Sequence, residues 1–408
     1  MDSAVAAVPL TQPADGVPPV VTTAAALDVA VRALAAGSGP IAVDTERASG
    51  YRYSQRAYLV QLRRQGSGTV LIDPVPLDGQ LESLAHALAG PEWVLHAASQ
   101  DLPCLAELDL RPTSLFDTEL AGRLAGYERV ALGTLVEQLL GYQLEKGHGA
   151  ADWSQRPLPA DWLTYAALDV ELLVPLREVL EAELTRQGKL DWALEEFESV
   201  RTAGPPKPRP EPWRRTSGIH RARTARQLAA VRALWEARDT IARDRDIAPG
   251  RVLPDRAVIE AGTTDPGTET ELVKLPVFRG RAQRRLAGTW LRALQTAREL
   301  PREELPDPAP PHDGPPPPAR WADKDPIAAA RLGAARPALT TLAEAHRLPV
   351  ENLLQPDLVR RTCWQPPEDR SATGVAAALR AGGAREWQVE LTANTLATAL
   401  AVRPDPTV

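Results

Sequence analysis

Cysteine is nearly absent from this 408-residue chain: only Cys104 and Cys363 occur, far apart in sequence. Two distant thiols argue against a disulfide framework and a structural zinc site, and they suit a reducing cytoplasm. No run of about 18 apolar residues occurs, so no membrane-spanning helix is expected. The start, Met1-Asp2-Ser3, has no basic stretch followed by an apolar one, so no secretory leader is expected either. Positive charge is in short supply overall, with a formal net charge of −6. The deficit is uneven: residues 1–200 carry −14, residues 201–256 carry +8, and the remainder is neutral. An acidic first half followed by a basic segment can bring a polyanion to an acidic site. The plain alternative is a solvated basic linker and helix face.

The length exceeds one ordinary core, so about two or three domains are expected. Residues 1–20, rich in Ala, Pro and Val without period, read as a mobile tail. Ile41–Asp44, Tyr58–Leu62 and Thr69–Asp73 read as three strands, the last two joined by a turn through Gly66, Ser67 and Gly68. Helical spacing follows at 80–89 and 99–108 around a short strand at Trp93–Leu95, and then dominates 118–199. That order predicts a mixed sheet with helices on its faces. Residues 201–221 read as a basic, Pro-rich linker containing Pro205-Pro206-Lys207-Pro208, and 222–300 as a compact helical stretch. Residues 301–322, with Pro310-Pro311 and Pro315-Pro316-Pro317-Pro318, read as a second linker, and 323–404 as another helical stretch. Such linkers are expected to let the domains adjust their spacing.

Three fragments carry acids in specific settings: Asp44-Thr45-Glu46 after an apolar run, Asp101 in His96–Leu102, and Tyr165-Ala166-Ala167-Leu168-Asp169. Two apart on a strand, Asp44 and Glu46 share a face. Four apart on a helix, Tyr165 and Asp169 share one too. Taken singly, each fragment has a bland reading: a surface acid pair, an acid favoured at a helix start, and a half-buried Tyr on an amphipathic helix. Brought together, four carboxylates repel one another unless cations neutralise them, and oxygen ligands of this kind suit Mg²⁺ or Mn²⁺. Two such ions about 4 Å apart can hold the attacking and leaving oxygens of a phosphodiester cleavage.

The order Asp-x-Glu, Asp, Tyr-x₃-Asp resembles the DEDD exonuclease superfamily in its tyrosine-bearing subgroup; the histidine subgroup would carry His where this chain has Thr164. Gln61-Leu62, Phe116-Asp117-Thr118, Ala151-Asp152-Trp153, Arg156-Pro157-Leu158 and Tyr165–Asp169 are similar to ribonuclease D over residues 22–200. Leu234–Asp239, Ala242–Asp246 and Leu253-Pro254-Asp255 resemble the HRDC domain, and 323–404 resembles a further, HRDC-like C-terminal domain of that family.

The resemblance implies an α/β ribonuclease-H-like exonuclease domain over 21–200, a mixed sheet with flanking helices, followed by two all-α HRDC-like domains. It implies that Asp44, Glu46, Asp101 and Asp169 ligate two divalent cations, Mg²⁺ or Mn²⁺. A water positioned by Tyr165 would attack the 3′-terminal phosphodiester and release a nucleoside 5′-monophosphate. The substrate class it implies is structured RNA such as tRNA precursors. Where the family often carries Phe after the first acids, this chain has Arg47, expected to contact a substrate phosphate. Trp213, Arg214, Arg215, Arg221, Arg223 and Arg226, with His220 among them, mix positive charge with an aromatic and are expected to pair with phosphates and stack on a base. His96 is expected to be structural, and His148, in Lys146-Gly147-His148-Gly149, to lie on an exposed loop. A monomer is expected. The rival readings are a 3′–5′ DNA exonuclease and a non-catalytic RNA-binding scaffold.

Overall fold

The computed structural model describes residues 7–145, 147–205, 208–309 and 314–402. Lys146, Pro206, Lys207, Pro310 and Pro311, on which parts of the loop and linker readings fall, lie outside the described residues, as do 1–6. Eight strands occur among those described: β1 Val8–Leu10, β2 Val20–Val21, β3 Ser38–Arg47, β4 Ala57–Gln65, β5 Gly68–Ile72, β6 Trp93–Leu95, β7 Leu115–Asp117 and β8 Tyr142–Leu144. Six form one sheet in the order β2-β5-β4-β3-β6-β7, while β1 pairs only with β8. The β3–β4–β5 meander is antiparallel; β2, β6 and β7 join in parallel. The mixed sheet is therefore as the apolar spacing predicts.

Burial explains the strand sequences. Residues 57–62 of β4 are buried without interruption, because the sheet is covered on both faces. One face meets Leu27, Leu34, Leu173, Leu176 and Leu180; the other meets Trp153 and Ala166 through Leu59 and Leu71. The helix Ala160–Glu171 supplies that second cover and carries Tyr165 and Asp169. Gly37, closing the helix Ala24–Ala36, lies so near β4 that a Cβ there would sit 2.9 Å from the Gln65 carbonyl oxygen.

The described part of the expected tail is a correction. Val8–Leu10 and Val20–Val21 are strands, Asp15 pairs with Arg63 at 3.0 Å, and the Ala14 N–H donates to Glu171 at 3.3 Å. Strands of two and three residues carry no period for a sequence reading to detect.

Two helical regions follow. In the first, the helix Ala225–Asp244, opened by a Thr224–Gln227 capping box, packs with the helices Asp255–Thr264 and Ala287–Glu299 around Leu234, Phe278 and Trp290. In the second, the helices Pro326–Ala345 and Glu386–Leu400 enclose Leu332, Leu339 and Leu396. The linker boundaries shift. Trp213 belongs to the first helical core, and Trp321, buried with its indole N–H donating to the Pro316 carbonyl at 2.7 Å, belongs to the second.

Free adjustment of domain spacing is also corrected. The second region rests on the helix Leu190–Arg201, with Trp192 stacked on Trp387 at 5.1 Å and Glu196 bonded to Arg385 at 2.9 Å. The first rests on residues 50–54, which connect β3 to β4. No helix among the described residues is long and apolar enough to cross a membrane.

Candidate active site

β3 runs three residues beyond Asp44, so the acids stand inside the strand rather than after it. Asp44 and Glu46 face the helix Ala160–Glu171, and oxygens of Asp44, Glu46 and Asp169 all lie within 4.8 Å of one another. Asp101 reaches the same place from the turn after β6. The left-handed Ala97 (φ 59°) makes that turn. Asp117 ties it down, accepting the N–H groups of Ala97 at 3.1 Å and Ala98 at 2.8 Å while capping its own helix. The Asp117 of the Phe116-Asp117-Thr118 motif thus shapes the Asp101 turn. Thr45, on the opposite side of β3 from Asp44, donates its hydroxyl to Asp101 Oδ1 at 2.7 Å and lies 3.3 Å from the Cys104 sulfur.

Electrostatics shows what the cluster lacks in isolation. Burial, then the Asp169 and Asp101 charges, push Glu46 up to about 9. Burial pushes Asp169 up to about 7; the Tyr165 hydroxyl beside it pulls it back and the Asp101 charge raises it further. Asp101 rises to about 6 through burial, opposed by the Thr45 hydrogen bond and the Arg47 charge. Asp44 lies well above the carboxylate range, by burial and by the charges of Asp101, Asp169 and Glu46. Carboxylates held in this state are ionised by a cation, and three to four oxygens with no sulfur or imidazole make a hard donor set. The residues fit a divalent metal such as Mg²⁺ or Mn²⁺.

Tyr165 is pushed far above its ordinary value by burial and then by the charges of Asp169, Glu46 and Asp44, so without a bound cation its phenol keeps its proton. The segment 147–153 forms its wall. A Cβ on Gly149 would lie 3.6 Å from the Tyr165 hydroxyl, and the His148 ring meets Tyr165 edge-on at 5.6 Å, with Nε2 3.6 Å from Asp161 Oδ2. The loop is exposed as expected at Gly147, Gly149 and Ala150, with the His148 ring half-buried against Tyr165. His96, its ring bonded to Thr118 at 2.9 Å and held down at about 4 by burial, is structural as expected.

The strand leaves the site through Arg47, half-buried and without an ion pair among the described residues. The next residues are clamped from outside the sheet. Asp246 Oδ1 accepts the Tyr53 and Ser54 N–H groups at 3.1 and 2.8 Å. Arg251 donates to the Gly50 carbonyl at 2.8 Å and lies over the Tyr51 ring at 3.9 Å. Arg52 Nε in turn donates to Ser154 Oγ at 2.8 Å, joining this clamp to the wall beside Tyr165. Sequence patterning singled out neither Thr45 nor Asp246 for these contacts; only proximity in the fold reveals them.

The expected RNA-contacting residues separate. Trp213 is 3% exposed, within the helical core, so it cannot stack on a base. Arg214 covers Trp213 at 4.3 Å, pairs with Glu211 at 2.8 Å and donates to the Asp307 carbonyl at 2.9 Å. Arg226 holds the carbonyls of Arg298 at 3.1 Å and Leu300 at 2.7 Å, where the helix Ala287–Glu299 ends. Arg215, Arg221 and Arg223 remain exposed.

Models of three families match: "3'-5' exonuclease" over 18–185, "HRDC domain" over 227–294 and "3' to 5' exonuclease C-terminal domain" over 314–400. A ribonuclease D from Acidiphilium cryptum is 32% identical over 335 residues, covering 80% of this chain and 83% of that relative. The crystal structure of a protein from Bifidobacterium adolescentis superposes with a TM-score of 0.90 at 38% identity, covering 97% of this chain and 99% of that one. Escherichia coli RNase D, an exoribonuclease involved in structured RNA processing, superposes with a TM-score of 0.66 at 26% identity, covering 94% and 98%.

Proposed function

This chain belongs to the ribonuclease D family of 3′–5′ exoribonucleases, and we propose that Asp44, Glu46, Asp101 and Asp169 hold two divalent cations, Mg²⁺ or Mn²⁺, with Tyr165 orienting the attacking water. The observation that carries this reading is the convergence of Asp44, Glu46 and Asp169 oxygens within 4.8 Å beneath a tyrosine that keeps its proton. Bound cations offset the charge that develops on the attacked phosphate and on the leaving oxygen.

The residues divide the work. Asp44 and Glu46 descend from the strand and Asp169 from the helix, so the donors sit on rigid elements. Thr45 occupies one oxygen of Asp101 and leaves the other for the site. The Tyr165 hydroxyl hydrogen-bonds the attacking water and so fixes the nucleophile. Arg47, without an ion pair among the described residues, meets a phosphate of the bound strand. The wall at 147–153 limits the space beside Tyr165, which suits a strand end rather than continuous duplex.

The substrate is structured RNA with a 3′ tail, such as a tRNA precursor, and the product is a nucleoside 5′-monophosphate. Incubation with a tRNA-like transcript bearing a 3′ extension, a short RNA and the DNA equivalent, followed by chromatography of the products, tests this. Release of 5′-monophosphates from both RNAs, with the extension trimmed, supports it. Degradation of DNA alone would move the activity to DNA metabolism.

A further inference from the structure

Gln61 of β4 is fully buried, and neither its amide nitrogen nor its amide oxygen has a hydrogen-bond partner among the described residues. A buried amide is costly to leave unpaired, and the great majority in folded proteins find a partner. Packing alone gives no reason for an amide at this position. Val60 and Leu62 beside it belong to the core on the other face of the sheet, and Leu59 and Leu71 pack on its own face. A methionine or leucine would fill the same space without an unpaired polar group.

Register places this amide beside the carboxylates. Gln61 pairs with Asp44 across β3 and β4, and with Leu71 across β4 and β5. Directly opposite residues share a face, with Cβ atoms about 4.5–5.5 Å apart. Leu59 and Leu71 of that face meet Ala166 of the helix Ala160–Glu171, so Gln61 lies beneath the helix that carries Asp169 and next to Asp44. Two of the other carboxylates have a hydroxyl donor: Thr45 for Asp101 at 2.7 Å, and Tyr165 for Asp169. Asp44 receives the Thr45 backbone N–H and no side-chain donor among the described residues. Carboxylates that ligate a cation are held by such outer donors, which fix their orientation. An unpartnered donor thus stands opposite a carboxylate that lacks one.

We infer that Gln61 is a positioning residue of the cation site, its amide holding the Asp44 carboxylate in the orientation that receives the cation. The inference rests on the two-cation reading of the carboxylates. In the loaded site Asp44 is a cation-bound carboxylate, and hydrogen bonds to an ionised acceptor are shorter and stronger than those to a neutral one. Gln61 therefore acts with opposite sign in the two states. Its unpaired amide destabilises the cation-free protein, and its bond to Asp44 stabilises the loaded one.

The test uses the full chain carrying Gln61→Met, which keeps the length and removes the amide, with Gln61→Leu as a second apolar variant. Melting is followed in EDTA, Mn²⁺ binding is titrated by calorimetry, and trinucleotide cleavage is followed across a Mg²⁺ series. The variants are expected to melt in EDTA at or above the wild-type temperature, because the unpaired amide is gone. Their Mn²⁺ dissociation constant is expected to rise about tenfold or more, as loss of a partner to a metal ligand typically produces. The Mg²⁺ concentration that half-saturates cleavage should rise in step. A residue that only fills the sheet would instead lower the melting temperature in EDTA and leave the affinity for Mn²⁺ alone. Unchanged Mn²⁺ affinity in both variants would overturn the inference. Weaker Mn²⁺ binding accompanied by a lower melting temperature in EDTA in both would also overturn it, because general loosening of the sheet then accounts for the loss. A wild type that binds no Mn²⁺ would overturn the two-cation reading and this inference together, whereas equal binding by wild type and variants overturns this inference alone.

Discussion

Asp246, in the first helical region, accepts the backbone N–H of Ser54 at 2.8 Å and so holds the segment that leaves the Asp44–Glu46 strand. A carboxylate accepting two backbone donors is a strong contact, worth about 1.5–3 kcal/mol where one partner is charged. Asp246→Ala is expected to lower kcat on a trinucleotide by about tenfold, since each 1.4 kcal/mol at the barrier is a factor of ten. Stopped-time assays on trinucleotide and long RNA check this; a loss confined to the long RNA would show that the region only binds. Removal of 222–408 would for the same reason damage short-substrate cleavage as well as binding of structured RNA.

Thr45 donates to Asp101 at 2.7 Å in a buried setting. Thr45→Val keeps the shape and removes the donor, and is expected to weaken divalent-cation affinity about 10–100-fold, as loss of a partner to a metal ligand typically does. Thr45→Ser restores the hydroxyl and is expected to bind nearly as the wild type does. Calorimetric titration with Mn²⁺ reads both; equal affinities in wild type and valine variant would remove Thr45 from the site.

Burial and the adjacent acids raise the Tyr165 phenol far above its ordinary value, which disfavours it as a base. Tyr165→Phe is therefore expected to lower kcat by about 10²-fold, the lower end of what a positioned proton-bearing group contributes, without moving the limbs of the pH–rate profile. Disappearance of an alkaline limb in the phenylalanine variant would mark Tyr165 as a base instead.

Stability without metal should fall as pH rises. Glu46, Asp101 and Asp169 are raised, to about 9, 6 and 7, mainly by burial. Below about pH 4 folded and unfolded chains are both protonated at these positions, and above it the unfolded chain releases protons that the folded one retains. The stabilisation is thus complete at low pH and is lost as pH passes through the folded values. Melting in EDTA is expected at a higher temperature near pH 5 than near pH 8 as far as these groups dominate, and Mg²⁺ or Mn²⁺ at pH 8 should recover the difference, because a ligand that binds the folded state stabilises it. A melting temperature in EDTA that rises from pH 5 to 8, with no response to metal, would contradict the arrangement of charges.

Asp44, Glu46, Tyr165 and Asp169 were legible because regular spacing on a strand and on a helix dictates which side chains share a face. The mixed sheet was legible for the same reason. Thr45's bond to Asp101 and Asp246's bond to Ser54 span 56 and 192 residues of chain, and no local period encodes such pairs. Trp213 misled because an aromatic among arginines has the same composition whether it faces RNA or, as here, packs in a helical core beneath Arg214. The strands at Val8–Leu10 and Val20–Val21 escaped because two or three residues take their conformation from a neighbouring strand rather than from their own pattern.

The most direct measurement follows a 5′-labelled single-stranded RNA with the wild-type protein in Mg²⁺ or Mn²⁺, with EDTA, and with Asp44→Ala. A ladder shortening from the 3′ end, abolished by EDTA and by the substitution, is the predicted result. Shortening that persists in the Asp44→Ala protein, or no shortening with any cation, would contradict hydrolysis at the carboxylate cluster.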